Sequence, residues 1–381
     1  MKFNIWRFFP VLLLLPAALE LQAAVLPEER LDTLYHKYEG GGVTIDGPSF
    51  LVRKNLGDSV SVGFNHYVDN VTSASIDVEV SGASEYTEER TENSISVDYL
   101  RQKTTMSASY TVSNENDFDA NTLNLGISQD MFGDLTTVSM SFALGDNTVG
   151  LNLDGSENFE EDTKVRSYRL GVSQVLTKSL VMAFTFETIT DDGYLNNPYR
   201  SVRYCNDPAC TGFSFQQEVY PETRTSTAMA LRLNYFLPQR AAIFAGIRVF
   251  DDTWDIEATT YELGYTFPYE EAWIFEATFR FHDQTKAEFY SDLFPSVDAQ
   301  NYLARDKELS TFTSTTLGLG ASYEFGRSWS QIERGSLNLQ MDWIDFEYDD
   351  FRDLTASGPV GEEPLYSFDA TVTRLFASIW F

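Results

Sequence analysis

Ala370-Thr371-Val372-Thr373-Arg374-Leu375-Phe376-Ala377-Ser378-Ile379-Trp380-Phe381 decides the fold. In a strand, successive side chains point to opposite faces. Leu375, Ala377, Ile379 and Phe381 therefore share an apolar face, while Arg374 and Ser378 share the other. A strand with one greasy and one polar side suits a wall between lipid and water. An aromatic final residue is common in strands that close bacterial outer-membrane cylinders and are read by their assembly machinery.

The same alternation recurs upstream. Met229, Leu231, Leu233 and Tyr235 interleave with Ala230, Arg232 and Asn234; Phe275, Ala277, Phe279 and Phe281 interleave with Glu276, Thr278, Arg280 and His282. Between such runs, short turns (Gly57-Asp58, Gln102-Lys103, Phe132-Gly133-Asp134, Thr177-Lys178-Ser179, Pro238-Gln239-Arg240, Tyr269-Glu270-Glu271) alternate with longer polar stretches. The longer ones are Ser73 to Glu92, Asp146 to Asp162, Asp191 to Glu222, Ser291 to Leu309 and Arg352 to Pro364, with two shorter outer connections near Asn114 and Asp251. Short-then-long is the pattern of periplasmic turns and extracellular loops. We expect an all-β, transmembrane, antiparallel up-and-down barrel of about sixteen strands. About fourteen are read from Ser59 onward, and a further hairpin comes from Leu31 to Lys54. The alternative is fourteen strands, with that hairpin tucked in as a plug or arm.

The amino end fits export. Lys2 and Arg7 precede an apolar run from Phe8 to Leu19, and small residues follow at Ala23 and Ala24. This is the form of a secretory signal peptide, expected over residues 1–23, leaving 24–381 as one barrel domain. No later stretch is apolar enough for a spanning helix, which a barrel does not need because only every second residue meets lipid. The net charge of -30 makes nucleic acid an unsuitable partner. The expected surroundings are outer-membrane lipid and lipopolysaccharide. Cys205 and Cys210, five apart in an exported chain, are expected to form a loop disulfide.

The inward positions collect charge of both signs: Asp98, Arg169, Glu187, Arg232, Arg248, Glu262, Glu276, Arg280, His282, Asp342 and Arg374. Arginine–carboxylate pairs across neighbouring strands would brace a lumen, and opposed charges would steer solutes through it. Catalysis is poorly supported. Only His36, His66 and His282 exist, and none has a nucleophile motif beside it. Neither His36, Glu39 and Asp46 nor the acidic run Asn152 to Asp162 has the spacing of a metal site. No cofactor, metal or enzymatic activity is expected.

The most distinctive segment is Glu39-Gly40-Gly41-Gly42-Val43-Thr44-Ile45-Asp46-Gly47-Pro48-Ser49. It lacks the Gly-Lys-Ser/Thr ending of a phosphate loop, so its glycines signal unusual backbone angles or a close approach of chain segments. We expect the tip of the first hairpin to run from Gly40 to Pro48. With Leu34-Tyr35-His36-Lys37-Tyr38 before it and Val52-Arg53-Lys54 after it, the segment resembles the start of an uncharacterised proteobacterial family of outer-membrane proteins. Asp69, Ser73 to Val78 and Glu88-Glu89-Arg90 continue the likeness. That resemblance implies a barrel without an assigned activity, encoded beside small lipoproteins, thioredoxin-like and flavin-transferring proteins. It therefore implies a tie to envelope redox or metal handling, with periplasmic redox or lipoprotein partners. The function expected is a channel or transporter component for small solutes or ions. The alternative is a docking barrel with a blocked lumen.

Overall fold

The computed structural model describes residues 25–73, 86–153, 156–326 and 332–381. Residues 1–23, the expected leader, lie outside them. Sixteen antiparallel strands close into one barrel: β1 (Arg30–Gly40), β2 (Val43–Asn55), β3 (Val60–Ser73), β4 (Tyr86–Arg101), β5 (Thr104–Asn114), β6 (Phe118–Met131), β7 (Thr136–Leu153), β8 (Ser156–Thr177), β9 (Leu180–Gly193), β12 (Thr223–Phe236), β13 (Ala242–Asp252), β14 (Glu257–Tyr269), β15 (Trp273–Gln284), β16 (Phe312–Gly326), β17 (Arg334–Arg352) and β18 (Leu365–Trp380). A small separate hairpin, β10 (Ser201–Cys205) with β11 (Phe213–Gln217), interrupts the connection from β9 to β12.

The barrel closes where β1 meets β18, in register from Arg30 opposite Trp380 to Gly40 opposite Ala370. The amino-terminal hairpin is thus part of the wall, which rules out the fourteen-stranded alternative. Closure leaves no unpaired strand edge to meet lipid. Outward residues such as Tyr35, Phe64, Ile95, Met140, Leu263, Leu317 and Leu375 are large, apolar and exposed. Near the turn between β14 and β15, Trp273 stacks on Phe275, and Tyr269 and Tyr323 pack against them at a tilt, as in an interfacial girdle.

Three expectations need correction. The tip of the first hairpin is only Gly41-Gly42, both at positive φ (57° and 76°), the backbone a tight two-residue hairpin needs. Gly47 and Pro48 lie within β2. There a β-carbon on Gly47 would overlap the Val68 carbonyl oxygen, so the glycine permits a close backbone approach. Second, Asp146 to Asp162 is mostly strand: β7 and β8 run on, still paired, to Leu153 opposite Ser156. A ribbon that has left the membrane loses its lipid face, so its sequence loses the alternation that marks strands elsewhere. Third, the inner face is not polar throughout. Tyr38, Val43, Ile45, Val71, Ala370 and Val372 form a buried apolar cluster, with Phe346 and Phe368 packed against it.

Candidate functional site: a charged inner wall beneath a folded lid

Strand register places the inward groups in rows. Ala230, Arg248, Thr260, His282 and Ser314 lie opposite one another across β12 to β16, and the adjacent row runs Arg232, Gly246, Glu262, Arg280 and Thr316. Glu262 lies between two arginines, 3.7 Å from Arg232 and 3.8 Å from Arg280. Arg169 places its Nε 3.2 Å and its Nη2 2.7 Å from the same oxygen of Glu187. Glu276 accepts from the Thr266 hydroxyl at 3.2 Å. Elsewhere in the wall, Arg374 pairs with Asp342 at 3.0 Å and donates to Gln340 at 3.2 Å. Asp98 pairs with Arg53, whose inward position the sequence reading missed. His282 shares a 2.9 Å hydrogen bond with the Thr260 hydroxyl.

The distinctive segment is split by the strand pleat. His36 turns inward, where it is buried, stacks on Tyr67 and meets Asp69 at 2.7 Å. Lys37 and Glu39 face the other way and pair with each other at 2.8 Å, and Asp46 sits opposite Lys37. The three groups weighed as metal ligands are therefore not brought together. A different trio is: Glu88, Glu115 and Asp117 each present a carboxylate oxygen within 4.8 Å of the others. Sequence reading missed it because Glu88 comes from β4, while Glu115 and Asp117 lie in the connection after β5.

The long connections at one end fold together. Residues 194–222, 285–311 and 353–364 form a lid, whose Tyr220, Phe289 and Tyr290 share a core with Trp254 of the connection between β13 and β14 and with Tyr348 and Phe351 of β17. Its main chains exchange bonds: Cys205 N–H donates to the Phe294 carbonyl, Phe294 N–H to the Arg203 carbonyl, and Val219 and Leu303 donate to each other. Arg203 is fully buried. It donates to both Glu363 oxygens (2.7 and 3.0 Å), to the Asp292 carbonyl (2.9 Å) and to the Asp292 carboxylate. Burial would raise the Glu363 carboxyl, but the Arg203 fork holds it below the usual carboxylate range. Arg305 reaches Asp292 at 3.0 Å, and its own backbone N–H donates to Glu218 at 2.6 Å. Burial, and next the Asp306 carboxylate, push Glu218 up to about 7 against the opposing pull of Arg200, Tyr220 and Arg305. A disulfide joins Cys205 to Cys210 at the edge of the β10–β11 hairpin.

The lid spans the mouth. Its residues 194–222 grip the connection between β15 and β16 through Val219 and Leu303, while Tyr199 donates to Asp117 in the connection between β5 and β6. Those two connections lie half-way round the ring from each other. The lid is therefore tied to opposite walls.

Residues 79–336, well over half of the chain, match the family described as protein of unknown function DUF3570. The chain belongs to the DUF3570 family. No curated protein matches this DUF3570 member. Among solved structures, it is similar to a bacterial polysaccharide outer-membrane secretin (9% identity, covering 93% of this chain and 98% of that one, TM-score 0.49). It is also similar to the siderophore receptor PirA from Acinetobacter baumannii (10% identity, TM-score 0.45). That alignment covers 85% of this chain and 53% of the receptor, so the DUF3570 chain spans about half the receptor's length. A FadL homologue of Pseudomonas aeruginosa is 11% identical, with 93% and 90% covered and a TM-score of 0.42.

Proposed function

We propose that this protein is an outer-membrane channel for small solutes or ions, with the lid on its outer side governing entry. The observation that carries the reading is the charged wall. Arg169, Glu187, Arg232, Arg248, Glu262, Glu276 and Arg280 line the inward rows of β8 to β15, and small residues lie between them (Ala230, Gly246, Thr260). A lumen meant only to be filled would more economically carry apolar side chains, because buried ion pairs seldom outperform hydrophobic packing. Outer-membrane lipid, lipopolysaccharide and the assembly machinery are the proposed surroundings. The tie to envelope redox or metal handling supplies the physiological setting and would be served by periplasmic partners.

Single-channel recording tests this. Purified protein in planar bilayers is expected to give discrete steps, and Arg232→Glu or Arg280→Glu is expected to shift ion selectivity toward cations. Silence from the full chain, and equally from a variant lacking residues 199–217, sinks the channel reading. The lid tied to opposite walls favours a second reading, a docking barrel whose closed outer face binds a partner. Under that reading both proteins stay silent.

A further inference from the structure

We propose that Arg248 is the centre of a lumenal subsite for a small solute bearing a carboxylate or phosphate group. The inference deepens the channel reading and rests on it for the solute's passage, though not for its binding.

Charge balance along the wall is the starting point. Arg169, Arg232, Arg248 and Arg280 share the inward faces of β8 to β15 with Glu187, Glu262 and Glu276, and further along the same faces lie Arg224, Asp191 and Asp252. Glu187, Glu262 and Glu276 are engaged. Glu187 holds Arg169, Glu262 is divided between Arg232 and Arg280, and Glu276 accepts from Thr266. Arg248 remains. Among the described residues it makes no hydrogen bond and no ion pair; its contact is the face of Phe250, with 5.5 Å from the guanidinium carbon to the ring centroid.

The surroundings leave room for a ligand. Arg248 stands opposite Ala230 on one side and Thr260 on the other, and Gly246 lies two positions along its own strand. None of these side chains is long enough to cover a guanidinium. The Thr260 hydroxyl, bonded to the His282 ring, and the Ser314 hydroxyl continue the row beyond it. An arginine fork offers five N–H donors in a plane and no acceptor, which matches two oxygens of a carboxylate or phosphate. The acidity of the whole chain does not decide the matter. Charges on distant loops are screened over about 8 Å at physiological salt, whereas the fork acts at contact.

Equilibrium dialysis of the detergent-solubilised full chain tests the subsite, with radiolabelled inorganic phosphate and succinate as separate probes. Heat-modifiable gel mobility verifies that each variant is a folded barrel. The wild-type barrel is expected to bind at least one probe saturably. Arg248→Gln is expected to lose about tenfold or more in affinity, and Arg248→Lys, which keeps the charge and loses the fork, to bind with intermediate strength. Wild-type protein that binds neither probe, or Arg248→Gln that binds as well as wild type, overturns the proposal. Binding is read without current. An electrically silent barrel that takes up phosphate through Arg248 therefore defeats the channel reading alone, and a conducting barrel that binds neither probe defeats the subsite alone.

Discussion

Arg203 and Glu363, 160 residues apart in sequence, meet as a two-pronged pair, with Nη1 2.7 Å from Oε1 and Nη2 3.0 Å from Oε2. Both are buried, and Asp292 completes the set from a third segment. The contact joins the β10–β11 hairpin to the connection between β17 and β18. It is a latch of the lid rather than of the barrel.

Arg203→Ala leaves Glu363 buried without its cation, while Asp292 keeps Arg305. Breaking a buried pair costs about 3–5 kcal/mol, and here the loss falls on the lid. Limited proteolysis is expected to cut between residues 199 and 217 much faster than in wild type. Heat-modifiable mobility should not change, since no barrel strand loses a partner. An unchanged cleavage rate would show that the pair does not hold the lid down.

Glu218 makes the lid pH-sensitive. Its carboxyl is raised in the fold to about 7, so the folded lid binds the proton more tightly than the unfolded chain does. The stabilisation is fully present below the unfolded value near 4.5 and is lost as pH rises through about 7, on the order of 3 kcal/mol at most. Glu363, whose carboxyl is lowered, is already ionised through this window and does not offset it. Hydrogen exchange at Leu303 and Phe294, corrected for intrinsic rate, should be slower at pH 5 than at pH 7.5. Glu218→Gln, a mimic of the protonated acid, is expected to flatten the difference. A pH response that survives in that variant would assign it to another group.

Tyr199 donates to Asp117 across the mouth. A hydrogen bond to a charged group contributes about 1.5–3 kcal/mol. Tyr199→Phe keeps the ring and loses the tether, so exchange should accelerate in residues 194–200 while the Val219–Leu303 pairing stays protected. Equal protection in both proteins would mean that the hydroxyl contributes nothing to closure.

Gly47→Ala drives a methyl into the Val68 carbonyl inside the wall. The variant is expected to assemble poorly, with little heat-modifiable protein recovered from the outer membrane. Gly57→Ala is the contrasting case. Nothing lies within 4 Å of a β-carbon there, and only the positive φ of 72° opposes it, a cost of about 1–2 kcal/mol. Recovery of that variant should be near normal. Similar recovery of the two proteins would discredit the close-approach account of Gly47.

The strands were legible because lipid imposes a rule on each one separately. Leu375, Ala377 and Ile379 must face out whatever the neighbours do, so alternation, turn positions and a count of about sixteen, or fourteen, could be read locally. The inward rows followed from the same parity, Arg248 among them. Where the chain leaves the membrane the rule lapses: the outer ends of β7 and β8, Asp146 to Asp162, looked like a loop, and β10 and β11 gave no periodic signal at all. The apolar inner patch around Tyr38 and Val372 was hidden as well, since parity tells which way a side chain points but not what it will meet there.

Sequence by itself pointed to a closed cylinder of about sixteen strands, or fourteen, and to most of the residues that turn inward, because a two-residue period in a bilayer allows few other solutions. Only the tertiary structure decided that Arg203 finds Glu363 and Asp292, that Glu218 is buried beside Asp306, that Tyr199 reaches Asp117, and that among the described residues no carboxylate comes within ion-pairing distance of Arg248. Those relationships depend on how loops of different length pack over a shared mouth, and no local pattern encodes a contact between segments so far apart in the chain.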